Sequence, residues 1–216
     1  MDFELARFNM VEQQIRTWAV LDQDVLDLLF VVKREAFVPP QWHSLAFADL
    51  ELPLPNGEQM WAPKLEARVL QALQLRGGEK VLEVGTGSGY FAALLACRAA
   101  AVTSVEIDHA LALEAAQKLA RAGVANVRCE IGDAARGWGK DTYDAIVLTG
   151  STPMLPETLF AQLRPGGVVF AVVGDLPVMT ARLIQWMAPG SRVTTELFET
   201  VVAPLKNAAT PARFQF

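Results

Sequence analysis

The stretch Val81-Leu82-Glu83-Val84-Gly85-Thr86-Gly87-Ser88-Gly89-Tyr90 constrains the fold of this chain more than any other. Its first four residues, apolar and partly β-branched around one acid, read as a short buried strand. Glycines at 85, 87 and 89 follow, and then an apolar, alanine-rich run, so the strand passes through a tight turn into a helix. Glycine lets a backbone come close to a ligand, and the first N–H groups of a helix favour a carboxylate or a phosphate. A dinucleotide-binding turn spaces its glycines as G-x-G-x-x-G; these do not follow that spacing, and Glu83 stands in the strand just ahead of them. That disfavours NAD. S-adenosylmethionine carries a sulfonium, an ammonium and a carboxylate but no pyrophosphate, and an acid beside the glycines suits that charge pattern. The alternative is a tight strand-to-helix turn that binds nothing.

Two further acids bear on that choice. Val102-Thr103-Ser104-Val105-Glu106-Ile107-Asp108 reads as a second strand. Its Glu106 lies about 20 residues past the glycines, the distance at which a βαβ unit brings a carboxylate to a ribose diol. A third strand, Val127 to Ile131, runs into Gly132-Asp133-Ala134, where Asp133 is placed to accept a hydrogen bond from an adenine amino group. Taken singly, each acid also reads as a helix cap or a loop residue. Together at three strand ends they read as a nucleoside site. The candidate cofactor residues are Glu83, Gly85, Thr86, Gly87, Ser88, Gly89, Glu106, Ile107, Asp133 and Ala134.

A chain of 216 residues that is 52% hydrophobic has room for one domain with a sizeable core. Its 19 Lys and Arg face 24 Asp and Glu, a formal charge of -5, and no basic run tracks a nucleic-acid backbone. Nucleic acid is therefore not the expected partner. The start, Met1-Asp2-Phe3-Glu4, lacks the regions of a signal peptide, and the apolar stretch from Phe91 to Val102 is broken by Arg98. No membrane span and a cytoplasmic location are the expectation. Cys97 and Cys129 lack ligand spacing and read as reduced core residues, and two histidines, His43 and His109, give a metal site little to be built from.

Residues 1–60 precede the strand-helix alternation and read as a helical cap and substrate loop, with 61–216 as the core of one compact unit. Val11, Ile15 and Trp18 fall at helical spacing, and Asp22 is placed to cap a second helix with Val25, Leu28, Leu29 and Val32 on one side. A proline-rich loop, Leu52 to Gly57, leads to Pro63, which opens a helix running to the Gly77-Gly78 stop. That loop is placed to close over a substrate. Further on, Tyr143 to Leu148 is a fourth strand, Pro156 to Leu163 a helix and Gly167 to Val173 a fifth strand. Such alternation gives an α/β fold: a mostly parallel sheet with helices on both faces and ligands at the strands' carboxyl ends. Met179 to Met187 and Val193 to Val202, joined by a turn with Pro189 and Gly190 at its centre, predict a C-terminal antiparallel hairpin.

Met10-Val11-Glu12-Gln13-Gln14-Ile15, Arg34-Glu35-Ala36-Phe37-Val38-Pro39, Leu45-Ala46-Phe47-Ala48-Asp49, the glycine strand, Gly132-Asp133, Arg164-Pro165-Gly166-Gly167 and Ala203-Pro204-Leu205 follow one another in order. In this the chain resembles the protein-L-isoaspartate O-methyltransferase family from about residue 9 to 206. The glycine motif marks only the wider methyltransferase class, whereas the Val-x-x-Gln-Ile and Arg-Glu-x-Phe-Val-Pro segments are far more specific. The resemblance implies a Rossmann-like class I methyltransferase fold. It also implies an enzyme that moves a methyl group from S-adenosyl-L-methionine to the carboxylate of isoaspartyl residues in damaged proteins, leaving S-adenosyl-L-homocysteine. Gly85, Gly87, Glu106 and Asp133 fall on the family's cofactor positions, and a monomer is the expectation.

One departure falls at the acceptor. The family usually shows Thr-Ile-Ser, any residue, then Pro, its serine beside the methyl acceptor; this chain has Gln59-Met60-Trp61-Ala62-Pro63. An indole has one N–H donor, no acceptor, and far more volume than a hydroxymethyl group. A second departure puts Gly150-Ser151-Thr152-Pro153 where the family tends to small alanines. The acceptor-site candidates are Trp61, Gln59, Asp49, Ser151 and Thr152, the two hydroxyls reading first as caps for the helix after Pro156 and only then as replacements for the missing serine. A carboxylate titrates near 4 and is already ionised at neutral pH, so its methylation needs no general base. An alcohol or amine acceptor would need one, with Asp49, Lys64 and His43 nearest. The alternatives are thus a different acceptor, small molecule or protein group, or a non-catalytic cofactor binder.

Overall fold

The structure is a computed structural model, and it describes residues 2–188 and 190–210. The chain opens with α1 (Phe3–Met10), capped by Asp2, and continues through a wide π turn over Val11–Ile15 and a 3-10 turn over Arg16–Trp18. The first helix thus begins earlier than the spacing of Val11, Ile15 and Trp18 predicts. Asp22 caps α2 (Gln23–Val31) as expected, its carboxylate accepting from the N–H groups of Asp24 and Val25. A two-stranded ribbon follows: β1 (Leu52–Pro53) pairs antiparallel with β2 (Gln59–Met60), Leu52 opposite Met60 and Pro53 opposite Gln59.

Pro63 opens α3 (Pro63–Leu73), which stops at Gln74 rather than at Gly77. Gln74 takes a left-handed conformation (φ 50°) and ends the helix one turn before the glycines. The alternation then runs β3 (Lys80–Val84), α4 (Tyr90–Ala96), β4 (Ala101–Glu106), α5 (His109–Arg121), β5 (Val127–Ile131), β6 (Tyr143–Thr152), α6 (Glu157–Ala161), β7 (Leu163–Asp175), β8 (Val178–Ala188) and β9 (Ser191–Glu199). The seven long strands form one sheet in the order β5-β4-β3-β6-β7-β8-β9. The first five are parallel, and β8 and β9 add antiparallel, as the tail's alternation predicts. Of the expected β8–β9 turn, Pro189 lies outside the described residues.

Strand alternation divides the core. Val81, Val102, Ala145, Val147, Phe170 and Val172 face one side, with α3, α4 and the N-terminal helices. Leu82, Val84, Val105, Ile146, Leu148 and Val169 face the other, where Leu159 and Phe160 of α6 cover them. Burying one such side chain stabilises the fold by roughly 1.5–3 kcal/mol. Every residue of α4 is buried, as an all-apolar helix must be. The N-terminal helices reach the sheet mainly through α3, and residues on both sides of position 60 share one apolar cluster.

Several local expectations change. Cys97, expected in the core, is exposed at the end of α4, while Cys129 is half-buried. The Thr152 hydroxyl donates to the carbonyl of Met154 (2.6 Å) and that of Ser151 to Val202 (3.1 Å); neither caps α6, which starts after Pro156 without a side-chain cap. Among the described residues no helix is long and apolar enough to cross a membrane, and no group of three or more His, Cys, Asp or Glu is placed to hold a metal ion.

Candidate functional site

A cleft of about 940 Å³, its open mouth included, lies at the carboxyl ends of β3, β4, β5 and β6. This is the end at which an open parallel sheet binds ligands, because neighbouring connections part there. Its floor is the glycine turn. Gly85 has φ +96°, and a Cβ there would stand 2.2 Å from Thr149 Oγ1. That hydroxyl donates to the carbonyls of Val84 (2.9 Å) and Gly85 (2.7 Å), so β6 is stitched to the turn where only glycine fits. Gly87 N–H donates to Glu106 Oε2 (2.9 Å), and Asp108 N–H to Glu106 Oε1 (3.0 Å). Both oxygens of Glu106 are thereby oriented at the tip of β4. Asp108 itself caps α5 and accepts from Asn56 Nδ2 (2.6 Å), which ties the proline-rich loop down beside the cleft.

Glu83 lies deeper and is fully buried on the α3 side of the sheet. Its Oε2 accepts from Ser104 Oγ (2.5 Å), which in turn lies 2.6 Å from Thr86 Oγ1, while Oε1 has no partner among the described residues. Burial pushes this carboxyl up to about 8, helped by Glu106 and Glu66 and opposed by the Ser104 hydroxyl. Ser88 Oγ accepts from Tyr90 N–H (3.2 Å), and Gly89, with φ +84°, leads into α4. Ile107 and Ala134 line the cleft beside Glu106 and Asp133. Asp133 Oδ1 accepts from Ala135 N–H (3.0 Å), and Oδ2 from Asn207 Nδ2 (2.8 Å). All ten residues singled out around the glycine strand thus gather at one end of the sheet, nine of them in the cleft wall.

The opposite wall comes from β2 and α3. Trp61 is buried, its ring against Phe91 (5.5 Å between centroids) and Phe170 (6.2 Å). Its carbonyl accepts from Arg34 Nη2 (2.7 Å); Arg34 also holds Ala46 O (2.9 Å) and forms a buried ion pair with Glu66. Burial pushes the Glu66 carboxyl up to about 8 against the pull of that guanidinium. The indole Nε1–H has no hydrogen-bond partner among the described residues. Gln59 lines the cleft as well. Asp49, Ser151 and Thr152 do not: Asp49 pairs with Lys64 (2.8 Å), and the two hydroxyls are engaged with backbone carbonyls. Lys64, read from the sequence as a base candidate, also lies over the Trp18 ring, and His43 bonds the Val38 carbonyl (3.0 Å).

Sequence reasoning did not single out Glu51, Glu58, Glu66, Thr149 or Lys206, which share the wall. A strap from Ala203 to Lys206 closes one side, pairing with β6 at Ser151 and joined by Lys206 to Glu58 (2.5 Å). Gly150 lets it pass, because a Cβ there would meet Leu205 N at 2.9 Å.

The family model for protein-L-isoaspartate(D-aspartate) O-methyltransferase matches residues 6–209. A protein-L-isoaspartate O-methyltransferase of Rhodopseudomonas palustris is 45% identical over 173 residues, covering 80% of this chain and 71% of that protein. One of Koribacter versatilis is 36% identical over 214 residues, 98% of this chain and 96% of the relative. In fold, the chain is similar to a putative protein-L-isoaspartate O-methyltransferase of Plasmodium falciparum solved with S-adenosyl-L-homocysteine, with a TM-score of 0.76, 18% identity and coverage of 91% and 96%. With a match spanning every residue of the cleft wall, the chain belongs to the protein-L-isoaspartate(D-aspartate) O-methyltransferase family.

Proposed function

We propose that this chain methylates the free carboxylate of isoaspartyl residues in damaged proteins, with S-adenosyl-L-methionine as donor. The observation that carries this reading is the family match over 6–209, which takes in both walls of the cleft. The residues present fit the donor. Gly85 and Gly87, both at positive φ, lay bare backbone along the cleft wall, Glu106 has both oxygens aimed by backbone N–H groups, and Glu83 keeps a buried oxygen with no partner among the described residues. Glu106 would hold the ribose diol, Asp133 and Ala134 the adenine end, and the backbone of residues 85–89 with Glu83 the amino-acid end.

When bound, the donor supplies an electrophilic methyl on a sulfonium. This chain's task is placement. An ionised acceptor needs no base, and correct placement of the reacting groups is worth roughly 7–11 kcal/mol of barrier. Trp61 N–H, a donor only, suits an ionised carboxylate, which accepts only. The rings of Trp61 and Phe91 exclude water at that end, and the Arg34–Glu66 pair fixes the Trp61 backbone. Residues 1–60 serve as cap and substrate loop over a core of 61–216. The proposed working form is a monomer, and the proposed substrates are cytoplasmic proteins.

Incubation with an isoaspartyl peptide and methyl-labelled donor should give an alkali-labile ester. No label above the blank, from protein that binds S-adenosyl-L-homocysteine, would overturn the acceptor and leave the cofactor standing. Trp61 in the family's serine position favours a second reading, a different methyl acceptor at the same cofactor site.

A further inference from the structure

Six carboxylates line the cleft: Glu51, Glu58, Glu66, Glu83, Glu106 and Asp133. Five are engaged, Glu58 by Lys206, Glu66 by Arg34, Glu83 by Ser104, Glu106 by two backbone N–H groups, and Asp133 by Ala135 and Asn207. Glu51 makes no hydrogen bond or ion pair among the described residues, although it is half-buried and burial raises its carboxyl above the ordinary value. Its position follows from the β1–β2 register. Leu52 pairs with Met60, and Glu51 and Trp61 are the residues that flank that pair, both of them in the cleft wall. The acceptor wall therefore offers a carboxylate and an N–H donor, neither of them with a partner among the described residues.

A bare isoaspartyl carboxylate brought to Trp61 would meet the negative field of Glu51. One with a cation beside it satisfies both groups. We propose that Glu51 is a specificity-determining residue that selects isoaspartyl sites next to a lysine or arginine. This rests on the carboxyl-methylation reading above. Lys206, the cation of that wall, is already held by Glu58, so nothing else among the wall residues neutralises Glu51.

The test compares peptides in which isoaspartate is followed by lysine, norleucine or glutamate. At low salt the wild-type enzyme should favour lysine over norleucine in kcat/KM by roughly fivefold, the upper range of a partly exposed ion pair. Added salt should shrink that ratio. Glu51→Gln should bring it close to one, and Glu51→Lys should turn the preference toward glutamate. A ratio of one in the wild type, or a ratio unchanged in Glu51→Gln, overturns the proposal. So does label that survives alkali on the lysine nitrogen, since the cation is then the acceptor. A wild-type enzyme silent on all three peptides overturns the carboxylate reading and this inference together, whereas equal turnover of all three overturns the Glu51 subsite alone.

Discussion

At Glu83, burial holds the carboxyl at about 8 where an unfolded chain releases its proton near 4.5. Between those values the native state binds more protons than the unfolded state, so raising the pH disfavours folding. The loss begins above about 4.5 and is complete once the pH has passed about 8. Glu83→Gln keeps the shape and removes the ionisation. Thermal midpoints measured from pH 5 to 9 should therefore fall less steeply in the variant than in the wild type, with the gap widening as pH rises; parallel curves would contradict the burial assigned to Glu83. At Trp61 the logic is one of shape. The indole is seated between Phe91 and Phe170, so its departure from the family's serine was readable in the sequence while its orientation was not.

The turn from β3 into α4 depends on Gly85 more than on any neighbour. Alanine there adds a strained φ, about 1–3 kcal/mol, and a collision with Thr149 Oγ1, about 1–3 kcal/mol more, so Gly85→Ala should cost roughly 2–6 kcal/mol in denaturant titration. Gly78→Ala, with nothing within 4 Å of the added carbon, is the control and should change little. This element was legible because short buried strands and glycine punctuation are local signals. So were β4, β5 and the final hairpin, whose alternation comes from two-faced burial. What stayed hidden depends on distant partners. Ser151 stood as an acceptor candidate because the carbonyl that takes its hydroxyl, Val202 beside the strap, is some 50 residues away. Lys64 stood as a base candidate because the groups that hold it, Trp18 and Asp49, are distant in sequence. Glu51 acquires its neighbour only through a two-residue ladder, too short to leave a period in the sequence.

For the whole molecule, one cleft gathers residues from the N-terminal ribbon, strands β3, β4 and β6, the loop after β5 and the strap before Asn207, so a ligand seated there should tie all of them together. S-adenosyl-L-homocysteine at a hundredfold excess over its Kd should add about 2.7 kcal/mol of stability. At about 2–4 °C per kcal/mol for a chain of this size, the midpoint should rise by roughly 5–10 °C in a thermal melt, and NADH should leave it unmoved. The strap carries a further consequence. Ala203 to Lys206 close a wall whose other side is laid down by residues 51 to 61, so during translation the residues between them must also be made before the donor finds a complete seat. A nascent chain that has not reached residue 206 therefore lacks one side of that seat, and a complete seat for the donor waits on those four residues.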